Sequence, residues 1–181
     1  IFTDEKVYDP SVSLRQKDRD TDEIYISYST PKTQNRTYLY NIKTKEKKLV
    51  KEQIIPSGHE PNDYIVERLE CPSHDGRVVP ITITRHKNTP IDGSAELLLY
   101  GYGSYGHSMS PTFSSTRLSL IKRNIIWATA HIRGGMERGM KWWKEGKLLN
   151  KKNTFKDYIA CAKFLIEKKY TSKKKIIGMC G

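Results

Sequence analysis

The N-terminal part of the chain alternates short apolar runs with polar turns. Two runs rich in Tyr, Ile and Thr are Ile24–Ser29 and Thr37–Ile42, and a shorter one is Leu49–Val50. β-Branched and aromatic residues between Pro, Asn and Lys turns favour strands. The pattern predicts an antiparallel meander over residues 1–53 that is similar to one blade of a β-propeller. One blade buries its faces against neighbouring blades, so we expect this region to be the remnant of a longer array.

A Pro- and Gly-containing stretch, Ile54–Asp63, is the predicted linker to a second region over residues 64–181. That region opens with a predicted hairpin, Tyr64–Cys71 and Arg77–Arg85, whose turn contains an Asp-Gly pair suited to positive φ. Two continuous apolar runs follow, Leu97–Tyr100 and Ile125–Ile132. Their lack of alternation predicts strands that are buried on both faces.

The hydrophobic period becomes helical between Thr154 and Lys169, with Thr154 or Asn153 as the predicted N-cap. The predicted apolar face consists of Phe155, Tyr158, Ile159, Ala162, Leu165 and Ile166. A further buried strand is predicted at Lys175–Cys180. Strand, helix and strand in this order imply a parallel crossover, so the fold class of the second region is α/β.

Composition limits the size of the core and the cellular location that we expect for this chain. The 181 residues are 36% hydrophobic, which is enough for one core and a small appended piece. The chain opens at Ile1 without a signal-like segment, and no apolar run approaches the roughly 20 residues that span a bilayer. Its three cysteines are far apart and form no CxxC pair, so neither a disulfide framework nor a metal site is predicted. We expect a cytoplasmic protein.

The net charge of +12 raises the question of a nucleic-acid or membrane partner. The lysines are scattered, and their small clusters fall where turns or helix ends would face solvent. No nucleic-acid-reading motif accompanies them. We therefore expect a solvated surface, with no nucleic-acid and no membrane partner.

A glycine-rich loop, Gly101–Gly106, matches the pattern GxGxxG and follows a predicted strand. A dinucleotide-binding loop also needs a helix that begins at the loop and an acidic residue roughly 20 positions later. Here the segment His107–Pro111 is a poor helix opening, and Ile121–Asn124 is not acidic. No nucleotide or other cofactor is therefore predicted.

Several segments of the second region together resemble a known family. They are Tyr100–Gly103, Phe113–Leu120, His131–Gly139 and Trp142–Asp157. In this order and spacing they resemble the catalytic domain of the prolyl oligopeptidase family of serine peptidases, and most closely its oligopeptidase B members. The resemblance runs over about residues 60–181, and the preceding meander resembles the end of the family's propeller. It implies the first half of an α/β-hydrolase domain.

The resemblance also implies an activity and places its residues. Family members cleave short peptides with a Ser, Asp, His triad in that chain order, and oligopeptidase B cuts after Arg or Lys. The nucleophilic serine would follow directly after Gly181, so no triad residue and none of the specificity-determining acidic residues is expected in this chain. One catalytic residue of the family has a counterpart in this chain, namely Tyr102. The resemblance implies that its hydroxyl donates a hydrogen bond to the oxyanion. The chain alone is thus expected to be inactive.

Other residues have mainly structural interpretations. We expect Arg133 to pair with a local carboxylate such as Glu137. Trp142 and Trp143 are expected to pack in a core or interface, and His107 and His131 to be structural. Cys180 lies near the position of the nucleophile, but it is expected to be buried on a strand and has no His partner, so it is not the predicted nucleophile.

Two alternatives remain open from the sequence. In the first, the chain is half of a split enzyme that is complemented by a second polypeptide carrying the triad. In the second, it is a basic binding protein without chemistry.

Overall fold

A computed structural model describes residues 7–13 and 20–180. The chain divides into two compact units. One contains the described residues up to Pro61 together with Ser110–Ser115, and the other contains Asn62–Met109 and the residues from Thr116 onward.

The first unit is a four-stranded antiparallel sheet with strands in sequence order. The strands are β1 (Asp9–Ser13), β2 (Glu23–Ser29), β3 (Arg36–Asn41) and β4 (Lys47–Glu52). The predicted meander over residues 1–53 is confirmed where the structure describes it, whereas residues 1–6 and 14–19 lie outside the described residues. The strand β1 is an addition that the sequence pattern did not indicate. The buried apolar side chains of this sheet include Ile26, Tyr28 and Tyr40, while every residue of β4 is exposed.

The second unit contains a mixed five-stranded sheet in the order β5-β6-β8-β7-β9. Its strands are β5 (Tyr64–Pro72), β6 (Val78–His86), β7 (Leu97–Gly101), β8 (Ile126–Ala130) and β9 (Ile176–Cys180). β5 and β6 form the predicted hairpin, and its turn glycine, Gly76, has φ of 79°. β8, β7 and β9 run parallel to one another, as predicted.

Three α-helices accompany this sheet within the described residues: α1 (Ser115–Ile121), α2 (Met140–Lys144) and α3 (Lys152–Glu167). The core lies between the sheet and α3. Its fully buried members include Val79, Ile81, Ile83, Leu97, Leu99, Ile126, Ala128, Cys161 and Leu165.

The predicted apolar face of α3 is wrong in part. Phe155 and Ile159 are 60% and 52% exposed. Leu165 of the predicted face is buried as expected, and the other residues that α3 buries are Thr154, Asp157 and Cys161. An aspartate occupies a buried position because an arginine neutralises it, so polarity along the sequence did not reveal which face is buried.

The predicted N-cap of α3 is also wrong. The N-cap is Lys151, which makes no side-chain capping hydrogen bond. Thr154 lies inside the first turn, where its hydroxyl donates to the carbonyls of Arg133 at 2.7 Å and Gly146 at 3.2 Å. The threonine joins the helix to neighbouring loops and does not cap it.

The strand β9 is confirmed, but its predicted burial is wrong. Ile176 is half-buried, and the other residues of the strand are exposed. Cys180, expected to be buried, is an exposed free thiol. The cause is topological, because β9 is the edge of the described sheet and continuous apolar sequence cannot distinguish an uncovered edge from an interior strand.

Candidate active site

The loop that carries Tyr102 begins where β7 ends. β7 and β9 are parallel neighbours, and their register pairs Gly101 with Cys180. The carboxyl ends of both strands therefore meet at one edge of the sheet, which is where open α/β sheets bind ligands. Tyr102 is half-buried there, and its ring lies edge-on to that of His107, with centroids 5.7 Å apart.

Close backbone contacts hold this loop against the loop that follows β8. Gly103 has φ of 61°, and a Cβ atom there would lie 2.6 Å from side-chain atoms of Ile132 and Thr154. Gly134 has φ of 101°, and a Cβ atom there would clash with the carbonyl of Gly103. The Gly106 amide donates to the carbonyl of Gly134 at 2.9 Å. Glycine is therefore required at 103 and 134 for both conformation and space.

Lys151 adds a side-chain contact to the same loop. Its ammonium donates to the Gly103 carbonyl at 2.6 Å and to the Ser104 hydroxyl at 2.7 Å. The start of α3 is thereby joined to the residue that follows Tyr102.

Arg133 is the centre of a buried ionic network. It is 1% exposed, and its guanidinium donates to Asp157 at 2.7 and 2.8 Å and to Asp75 at 2.6 and 3.2 Å. The Ser73 hydroxyl donates to the same Asp157 carboxylate at 2.5 Å. The predicted pairing of Arg133 with Glu137 is therefore wrong. The network joins the β5–β6 turn, the loop after β8 and α3.

The network shifts the pKa values of its members. Burial alone would lower the pKa of Arg133, but its hydrogen bonds to Asp157 and Asp75 outweigh burial and raise it. The hydrogen bond from Arg133 lowers the pKa of Asp75 to about 2. Arg133 and Asp75 are therefore both charged at neutral pH.

Glu137 belongs to a second buried cluster, around His131. The His131 Nε2 atom lies 2.8 Å from the Thr82 hydroxyl and 2.7 Å from an Arg68 nitrogen, and its Nδ1 atom lies 3.6 Å from Glu137. Burial lowers the pKa of His131. Since Arg68 can only donate, Nε2 accepts, and the imidazole is neutral with its proton on Nδ1. The contacts of the His131 side chain are thus with Thr82, Arg68 and Glu137.

The tryptophans differ in their surroundings. Trp142 is buried, and its indole N–H donates to the His131 carbonyl at 3.0 Å. Trp143 is half-buried, with the Lys147 ammonium 3.5 Å from its ring centroid.

Over residues 7–13 and 20–180 no group of His, Cys, Asp and Glu is arranged to hold a metal ion. No helix among these residues is long and apolar enough to cross a membrane.

Sequence reasoning proposed Tyr102 as a site residue, which stays a prediction, and it did not point to Asp75, Asp157 or Lys151. One signal was available for Asp157, which stands among the apolar positions of α3. A charged residue at such a position indicates a buried partner of opposite sign. Asp75 in a turn and Lys151 in a lysine-rich stretch carried no comparable signal, because both are also typical of solvated surface.

Comparison with known proteins agrees with this architecture. Residues 111–181 match the model of the "Prolyl oligopeptidase family". Over its whole length the chain is 40% identical to dipeptidyl aminopeptidase BI of Pseudoxanthomonas mexicana and 37% identical to protease 2 of Moraxella lacunata. It spans 25% and 26% of these proteins, respectively, so it corresponds to about a quarter of their length.

Solved structures give the same relationship. Oligopeptidase B from Leishmania major superposes with a TM-score of 0.89 at 32% identity, over 99% of this chain and 25% of that one. Oligopeptidase B from Trypanosoma brucei superposes with a TM-score of 0.90 at 34% identity, over 99% of this chain and 26% of that one. Sequence and structure thus place this chain in the prolyl oligopeptidase family of serine peptidases.

Proposed function

We propose that residues 64–181 form the first half of an α/β-hydrolase catalytic domain, preceded by the last blade region of a β-propeller over residues 1–53 and a linker over 54–63. The parallel strands β8, β7 and β9 and the antiparallel pair β5–β6 support the first assignment. The four-stranded meander supports the second.

The activity that we propose is serine-type hydrolysis of short peptides after Arg or Lys, carried out by this chain together with a polypeptide that contains the triad. The relatives named above are peptidases, and the Trypanosoma brucei enzyme was solved with antipain covalently bound. In this proposal a serine that follows β9 attacks the peptide carbonyl, His accepts its proton, and Asp orients the His.

Tyr102 supplies the oxyanion donor in this scheme. The observation that carries it is the parallel pairing of Gly101 with Cys180. Tyr102 directly follows the first of these residues, and the nucleophile would follow the second after one glycine. A phenol at this edge can donate to the oxygen that becomes negative when the serine attacks. Removing one such donor typically costs about 10²–10³ in rate.

Reconstitution tests the proposal. Purified chain 1–181 should not hydrolyse Arg- or Lys-containing peptides above background. Hydrolysis should appear when it is co-expressed with a polypeptide that begins at the family's Ser-Ala-Gly-Gly sequence, and a serine-directed covalent inhibitor should abolish it.

Two results would contradict the proposal. Inhibitor-titratable turnover by chain 1–181 alone would mean that it contains its own nucleophile. Turnover blocked by thiol alkylation would assign that role to Cys180, which is exposed.

A further inference from the structure

Lys151 stands at the N-cap of α3, where the local rules of helix formation oppose it. Helix N-caps favour Ser, Thr, Asp and Asn, and the positive end of the helix dipole repels a cation. Lys151 makes no capping hydrogen bond, and Lys152 directly follows it. A residue whose type is unfavourable at its own helix position is expected to make a compensating contact with another part of the structure.

Its ammonium is directed to the loop of Tyr102. It donates to the Gly103 carbonyl and the Ser104 hydroxyl at 2.6 and 2.7 Å, and burial lowers its pKa. Charge-assisted hydrogen bonds are about twice as strong as neutral ones. This contact can therefore offset both the desolvation of the ammonium and its unfavourable position at the helix end.

The other hydrogen bonds of the loop lie further along the chain. The Gly106 amide donates to Gly134, and the His107 amide donates to Ser104. Lys151 contacts the carbonyl of the 103–104 peptide unit, one residue after Tyr102, at a glycine with φ of 61°. Close packing against Gly134 already restricts this carbonyl, and the Lys151 ammonium adds a hydrogen bond that holds the peptide plane of a residue with an intrinsically mobile backbone.

We propose that Lys151 is a positioning residue that fixes the Gly103 carbonyl and thereby aims the Tyr102 hydroxyl. The proposal rests on the proposed function of Tyr102. An oxyanion donor acts only when it lies about 2.7–3.1 Å from the developing charge. Rotation of the 103–104 peptide would move the phenol out of that range.

Hydrogen exchange on chain 1–181 tests the structural half of the proposal without any activity. Lys151→Met should speed exchange of the Gly106 and His107 amides about tenfold, since a hydrogen bond to a charged group is worth at least that factor. Lys152→Met, which removes the exposed neighbour, is the matched control and should leave these amides unchanged. If Lys151→Met does not fold, Ser104→Ala removes one acceptor and should give a smaller increase at the same amides. Equal exchange in the Lys151 and Lys152 variants would overturn the proposal.

Kinetics of the reconstituted peptidase test the functional half. Lys151→Met should lower kcat about tenfold with KM unchanged, and it should have no further effect when Tyr102→Phe is already present. An equal loss of kcat in both backgrounds would show that Lys151 does not act through Tyr102. If Tyr102→Phe itself leaves kcat unchanged, the proposed function fails, whereas the exchange result still decides whether Lys151 holds the loop.

Discussion

Arg133 shows how a single residue organises this unit. Its guanidinium joins Asp75 of the β5–β6 turn to Asp157 of α3, and the backbone amide of Arg133 also donates to Asp157 at 3.1 Å. The sequence indicated that Arg133 needs a carboxylate and suggested Glu137 as a nearby one. The actual partners are 58 and 24 positions away. Only the folded sheet brings them together, so no local pattern could name them.

Stability should reflect the titration of Asp75. The pKa of Asp75 is lowered from 3.8 to about 2. A depressed carboxyl pKa contributes stability that is present above about pH 4 and is lost as the pH falls towards 2. Asp75→Asn should remove that contribution and flatten the pH dependence of the free energy of unfolding over this range. We expect a loss of about 1 kcal/mol, because a third of the Asp75 side chain faces solvent, which weakens the ion pair.

Urea unfolding of the second unit at several pH values between about 5 and 2 measures this effect. Glu70→Gln is the control, because Glu70 pairs with Arg138 at 3.2 Å on the surface and both side chains are largely exposed. Equal pH slopes for wild type and Asp75→Asn would contradict the role given to this ion pair.

At the scale of elements, the strands were more predictable than the face of the helix. β5, β6, β7 and β8 appear where apolar runs and an Asp-Gly turn indicated them. The buried face of α3 could not be predicted in full, because an ion pair allows Asp157 to be buried while the apolar Phe155 stays exposed. The loop contacts near Tyr102 depend on glycines whose partners are remote in sequence.

Gly134→Ala tests those loop contacts. An alanine there must adopt φ near 101° and also place a methyl group against the Gly103 carbonyl. Gly139→Ala is the matched control, since Gly139 has φ of 81° and a Cβ atom there would meet no other atom within 4 Å. Gly134→Ala should lower the free energy of unfolding by about 1–3 kcal/mol more than the control. Equal losses would show that the two loops do not need their close approach.

At the scale of the whole molecule, the edge strand β9 dominates the expected behaviour. Within the described residues no strand pairs with its outer side. Ile177 and Met179 on it are 59% and 49% exposed. An exposed apolar edge is a template for pairing with another chain. We therefore expect chain 1–181 to self-associate on its own and to be more soluble when the complementing polypeptide covers this edge.

Ile177→Lys should reduce that self-association, because a charge on an edge strand opposes strand pairing. Ile159→Lys is the control, since Ile159 is similarly exposed at 52% but lies on α3. Light scattering at matched concentrations compares the two variants. A monomeric wild-type chain, or equal effects of both substitutions, would contradict association through β9.

The central claim is that this chain supplies the oxyanion donor of a serine peptidase, and the kcat of the reconstituted enzyme with Tyr102→Phe tests it most directly. Tyr105→Phe is the matched control, because it removes a hydroxyl from a 90% exposed tyrosine of the same loop. We predict that Tyr102→Phe lowers kcat about 10²–10³-fold with little change in KM, and that Tyr105→Phe leaves both unchanged. An unchanged kcat for Tyr102→Phe in an active, serine-dependent reconstituted enzyme would contradict the claim.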